Sequence, residues 1–184
     1  MSDALIALHF QNDICHPEGR IPFSLDRKSG EAEAFLAESR KALDRARDAG
    51  WMIVHVHIAF AADYSDLPRN CRLFSAVEEL SAVKKGSWGA APLATFEPRA
   101  GEAVVVHNCN SAFRRTGLER ILAARNIERL HVMGLATQFS VEHTVRDAVD
   151  LGYRVTVLSR CCASADPEAH LASLRTLSML ADIV

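Results

Sequence analysis

Residues 130–158 read Leu130-His131-Val132-Met133-Gly134-Leu135-Ala136-Thr137-Gln138-Phe139-Ser140, then Val141-Glu142-His143-Thr144-Val145-Arg146-Asp147-Ala148-Val149-Asp150, then Leu151-Gly152-Tyr153-Arg154-Val155-Thr156-Val157-Leu158. The first block opens on a short, nearly continuous apolar run, the pattern of a strand covered on both faces. In the second, Val141, Val145, Ala148 and Val149 recur at helical spacing, and Gly152 stops the pattern. The third returns to a β-branched run, Val155-Thr156-Val157-Leu158. Strand, helix and strand in such close succession predict a parallel sheet.

The same alternation extends outward. Further strands are predicted at Ala4-Leu5-Ile6-Ala7-Leu8, Met52-Ile53-Val54-His55-Val56 and Ala103-Val104-Val105-Val106. Phe35, Leu36, Leu43 and Ala46 form one helical face with Gly50 as its stop. Thr116 and Glu119 have capping-box spacing ahead of Leu118, Ile121 and Leu122, and Asn126 ends that helix. Asp166 and Pro167 open a last helix whose Leu171, Leu174, Leu177 and Leu180 are expected to face inward. Ala181-Asp182-Ile183-Val184 can add a short sixth strand, and residues 72–98 read as a short helix with a long loop. The prediction is a single α/β domain over residues 1–184. It is a three-layer α/β/α sandwich with a mostly parallel six-stranded sheet.

Composition bounds the function. The 184 residues are 49% hydrophobic and 24% charged with a formal net charge of −2, which fits a globular protein and excludes disorder. The charges are interspersed, so no basic stripe offers itself to nucleic acid. Met1-Ser2-Asp3-Ala4 has no positive n-region and no run reaches membrane-span length, so a cytoplasmic protein is expected. Cys15, Cys71, Cys109, Cys161 and Cys162 are an odd set without C-x-x-C spacing, which favours reduced thiols; adjacent Cys161 and Cys162 should point to opposite faces. There is no G-x-G-x-x-G, Walker A or G-x-S-x-G motif, and no cofactor is implied.

Ligands of open α/β sheets bind beyond the carboxyl ends of the strands. The first strand runs out at His9-Phe10-Gln11-Asn12-Asp13, the second near His57, the third at His107-Asn108 and the fourth at Gly134 to Ser140. Three histidines and a serine therefore share one rim. Ser140 stands where a helix begins, and two roles are open to it. It can cap the helix, or it can present its hydroxyl where the helix dipole favours an oxyanion.

Several segments resemble the isochorismatase-like (cysteine hydrolase) family. Leu5 to Leu8 followed by His9-Phe10-Gln11-Asn12-Asp13 resembles the family's apolar strand and Asp-Met-Gln-Asn-Asp. Lys85-Gly86-Ser87-Trp88-Gly89-Ala90 resembles its Lys-Gly-Thr-Trp-Gly-Ala. Ser111-Ala112-Phe113 with Thr116 and Leu118 matches Ser-Ala-Phe-x-x-Thr-x-Leu, and Gly134-Leu135-Ala136-Thr137 leads into the family's active-site helix. The resemblance implies hydrolysis of small amides or related C–N and ether substrates, a cis peptide around Leu135-Ala136, and homo-oligomers. Family members use an Asp, a Lys and a Cys. At those positions this chain has His9, His107 and Ser140. The resemblance further implies that Trp88, Phe113, Thr137 and Gln138 contact a small-molecule substrate.

Three readings stay open on these residues. Ser140 can act as a nucleophile with His9 or His107 as acid-base groups. The fold can instead serve binding or scaffolding without catalysis. Or His9, His57 and His107 can hold a metal, as some nicotinamidases do near this rim through an Asp and histidines. His55-Val56-His57 differs from that pattern, and its two rings are expected on opposite faces. Cys15 and Cys109 are not positioned to replace the nucleophile, Asp13 reads as structural, and His16, His131, His143 and His170 lack ligand spacing.

Overall fold

The computed structural model describes residues 2–27 and 29–184, and Met1 and Lys28 lie outside it. The strands are β1 Ser2–Leu8, β2 Met52–Ile58, β3 Ala103–His107, β4 Ile127–Leu135, β5 Arg154–Ala163 and β6 Asp182–Ile183. They form one sheet in the order β3-β2-β1-β4-β5-β6, and every neighbouring pair is parallel. The helices are α1 Asn12–Cys15, α2 Gly30–Asp48, α3 Arg72–Glu79, α4 Leu118–Ala123, α5 Glu142–Asp150 and α6 Pro167–Leu177. Among the described residues no helix is long and apolar enough to cross a membrane.

Strand alternation feeds two cores. Leu5, Ala7, Ile53, Met133 and Leu135 point to the face covered by Phe35 and Leu43 of α2 and Phe74 and Val77 of α3. Ala4, Ile6, Leu8, Val54 and Val132 point to the other, against Leu118 and Leu122 of α4, Val145 and Ala148 of α5 and Leu177 of α6. A strand packed on both sides must be apolar at every position, which is why these runs are continuous. Cys161 lies in the first core and Cys162 in the second, the opposite-face placement expected of adjacent strand residues.

Local signals account for most element ends. Gly50 and Gly152 follow α2 and α5 with φ +69° and +89°, a conformation that costs a glycine little. Asp166 caps α6 by accepting the Ala169 N–H at 3.0 Å, with Pro167 in the first turn. Other expectations fail. Gly117, not Thr116, directly precedes α4; the Thr116 hydroxyl donates to the Ala112 carbonyl at 2.6 Å and accepts the Leu118 N–H at 3.2 Å, without the Glu119 half of a capping box. Leu171 is 59% and Leu180 41% exposed, because α6 meets the core through Ser173 and Leu177.

Crossovers to β2 and β3 run on one face and those to β4, β5 and β6 on the other, so the chain reverses between β1 and β4. That reversal is the point at which open sheets leave a crevice. Gly134 sits there with φ +131°, and a Cβ on it would lie 2.1 Å from the Leu8 carbonyl oxygen. Gly134→Ala is expected to cost about 3 kcal/mol or more, from strain and from backbone displacement. A urea midpoint unchanged from wild type would show that β1 and β4 can separate freely here.

Candidate active site

The rim is assembled by backbone contacts that leave its chemistry-bearing side chains free. The Gln11 amide donates to the carbonyls of Ile58 (3.0 Å) and Ala90 (2.8 Å) and accepts the Ile58 N–H at 2.8 Å. One side chain thus ties the end of β1 to the end of β2 and to the 88–91 loop. Asp13, fully inside, accepts the N–H groups of Val83 (2.7 Å) and Arg20 (3.3 Å), which bears out its structural reading. A Cβ on Gly89 would fall 1.9 Å from an Asp13 carboxylate oxygen, so that turn needs glycine.

His9 leaves β1 with φ +63° and is buried. Its Nε2 lies 2.7 Å from Nε2 of His107, which ends β3. The other nitrogen of His107, Nδ1, is 3.2 Å from the Ser111 carbonyl and must donate to it. In the neutral ring, Nε2 of His107 is then the acceptor and His9 Nε2–H the donor. That leaves Nδ1 as the second nitrogen of His9. The Leu135 carbonyl faces the His9 ring and favours its protonated form.

Burial sets the charge of this cluster. It holds His9 well below the ordinary histidine range, with the neighbouring His107 and His57 acting in the same direction. Burial also brings His107 and His57 down to about 4. The rings are neutral at pH 7 for the reason desolvation always gives, namely that a buried cation loses its water.

Ser140 lies in the widened helical turn Thr137–Val141 that leads into α5. Ala136 is the N-cap of this turn and Val141 that of α5, so Ser140 occupies the capping position of neither. The buried hydroxyl lines a cavity of about 30 Å³ that it shares with His9 and Asn110. The remaining walls are largely apolar, from Ile14, Ile21, Phe23 and Ile58 to Leu73, Phe74, Val77 and Phe139. The Leu135–Ala136 peptide just before this turn is cis.

The other named residues lie elsewhere. Trp88 is 51% exposed with its ring edge-on to His16, and Phe113 packs on Tyr153 over the α4–α5 core. Thr137 is buried but bonded to His170 Nδ1 (2.8 Å) and the Ala163 carbonyl. Gln138 neighbours Ser140 in sequence but does not line the cavity. His55 and His57 face the same side, with ring centroids 6.4 Å apart, because positions two apart in a strand share a face; the opposite-face expectation is corrected. His55 is bonded to Glu102 at 2.8 Å. Among the described residues no group of three or more His, Cys, Asp or Glu side chains is placed to hold a metal ion. The buried Cys15 thiol is pushed up to about 12 by desolvation, an unreactive state. Asn110 was not singled out by the sequence, and no motif marks it.

Comparison with known proteins decides the family. The profile of the isochorismatase domain matches residues 3–184. The chain belongs to this family. Among its relatives, ureidoacrylate amidohydrolase RutB of Agrobacterium fabrum (strain C58) is 27% identical over 82% of this chain and 71% of its own length. The same enzyme of Rhizobium rhizogenes (strain K84) is 28% identical over 66% of this chain, which spans only 54% of that relative. The solved isochorismatase family protein of Desulfovibrio vulgaris is 28% identical with a TM-score of 0.87, covering 100% of this chain and 93% of that one. N-carbamoylsarcosine amidase of Thermoplasma acidophilum is 25% identical with a TM-score of 0.78, over 100% and 95%. Isochorismatase-family hydrolases among these neighbours act on amides.

Proposed function

We propose that this isochorismatase-family protein hydrolyses a small amide, with Ser140 as nucleophile and His9 and His107 as its acid-base pair. The observation that carries this reading is the 2.7 Å contact of His9 with His107 beside a cavity that His9 shares with the Ser140 hydroxyl. Ser140 Oγ attacks the amide carbonyl while its proton passes to His9. The imidazolium so formed keeps its Nε2–H on His107, which orients it as a carboxylate would but without a compensating charge. The positive end of the turn at Thr137 and α5 stabilises the oxyanion. His9 then returns the proton to the leaving nitrogen as the C–N bond breaks, and water releases the acyl group from Ser140. Release of ammonia or amine from a panel of small amides tests the proposal.

A catalytically silent binding role is the second reading, favoured by the small cavity and by the lack of a permanent charge beside Ser140. Two variants separate the readings. Ser140→Cys alone is expected to give little amidase activity, since its thiol would meet a neutral His107 and not a fixed cation. The triple change His9→Asp, His107→Lys, Ser140→Cys restores that cation and a carboxylate. If the single variant equals the triple, the histidines are competent partners; if only the triple turns over, the native rim serves binding.

The proposal includes assembly with further copies of the chain, consistent with exposed Leu171 and the 85%-exposed Met179 at the end of α6.

A further inference from the structure

Among the described residues, Val83 is the one β-branched side chain with a positive φ, +45°. A branched Cβ crowds its own backbone in this region, so the surrounding structure must hold such a residue in place. Two contacts do so. Asp13 Oδ2 accepts the Val83 N–H at 2.7 Å, and the Val83 carbonyl accepts the Phe60 N–H at 3.0 Å. Asp13 lies in α1 and Phe60 follows β2, so position 83 is clamped from two parts of the rim. A glycine would keep both contacts, which the backbone makes, and would escape the strain. The reason for a valine must therefore lie in what its side chain touches. With both backbone polar atoms engaged, Val83 presents hydrocarbon to the cavity beside Ser140. It is fully buried and packs in one core with Ile14, Ile21, Ile58, Phe74 and Val77, which line the same cavity.

We propose that Val83 is a specificity-determining residue of this site, whose side chain fills space beside Ser140 and so sets the length of the ligand that fits. The proposal rests on this cavity being where the ligand sits, and not on Ser140 acting as a nucleophile. At about 30 Å³ the space takes about two or three water-sized groups, since one water needs roughly 10–15 Å³. Val83→Ala removes two methyl groups from the wall and Val83→Gly removes the whole side chain, so each lengthens the chain that can enter. Strain of this kind persists where the surrounding structure over-determines it, and it clusters at functional sites.

Straight-chain alcohols from methanol to hexanol serve as neutral probes, each with one polar end, followed by amide-proton NMR titration of the full chain. In the wild type, affinity is expected to stop rising after ethanol. Butanol is expected to bind Val83→Ala about 10-fold more tightly than wild type, the worth of roughly two buried methylenes. Ethanol is expected to bind all three proteins within about 2-fold, because it already fits. Urea midpoints supply a second measurement. At ordinary buried positions glycine is a worse replacement than alanine; here Val83→Gly is expected to have the higher midpoint of the two, because only glycine relieves the strain. No gain for butanol in either variant, an equal gain for ethanol and butanol, or no binding of any alcohol overturns the proposal. A Val83→Gly midpoint below that of Val83→Ala, or failure of both variants to fold, would assign the valine to the core alone and overturn it too. A lengthened ligand limit in a protein that turns over no amide leaves the role of Val83 standing and removes the hydrolase reading instead.

Discussion

Ser140→Ala is expected to lower kcat/KM for the best amide substrate by at least about 10³-fold, with KM nearly unchanged. Ser140 is the N-cap of neither its turn nor α5, so removing the hydroxyl costs the fold little. What disappears is the cavity hydroxyl on the turn that leads into α5, the proposed seat of the acyl intermediate. His9→Ala should cost about as much, and the double variant no more than either single one, because the two residues act in one step. A Ser140→Ala protein that keeps more than a tenth of wild-type activity would show that the nucleophile is another group or a water.

The second large effect concerns acid. His57 and His107 titrate near 4 in the folded chain because burial strips the charged ring of water, whereas in the unfolded chain they titrate near the ordinary 6.5. Above pH 6.5 both states carry neutral rings and pH has no leverage. Between 6.5 and 4 the unfolded chain binds protons that the folded one refuses, so stability falls as the pH falls. By pH 5 the loss is about 2 kcal/mol for each ring, and His9 acts in the same direction. Below 4 the folded rings protonate too and the loss levels off. Against a typical total of about 5–15 kcal/mol, such a loss moves the urea midpoint far. Midpoints that coincide at pH 7.5 and pH 5 would show that the cluster is hydrated or already protonated. His57→Asn should flatten the dependence without abolishing it.

The sheet and its crossovers were legible because burial on both faces writes itself into every strand position. The run at 130–133 lies within β4, and the one at 155–158 within β5. Caps at Asp166 and stops at Gly50 and Gly152 were equally plain, since each has one local cause. Ser140 was placed at the right turn, but its freedom from capping was not visible, because the turn widens and carries Ser140 inside it. The exposure of Leu171 escaped because helical spacing marks a face without saying how far the next layer reaches. Asn110 escaped for a different reason. A lone loop asparagine has no pattern, and only the folded chain shows that its oxygen is buried without a partner among the described residues.

The positive φ of His9 limits how this position can diverge. At φ +63° a β-branched or bulky residue is strained, while Asn, Asp and His are the side chains found there several times more often than others. The backbone therefore admits a short alphabet at position 9, and that alphabet contains both a carboxylate and an imidazole. Gln11 and Asp13 hold the surrounding backbone without touching the His9 ring. A lineage could accordingly trade one acid-base group for another at this seat with little penalty in folding. Reaction chemistry could then drift faster than the architecture that carries it.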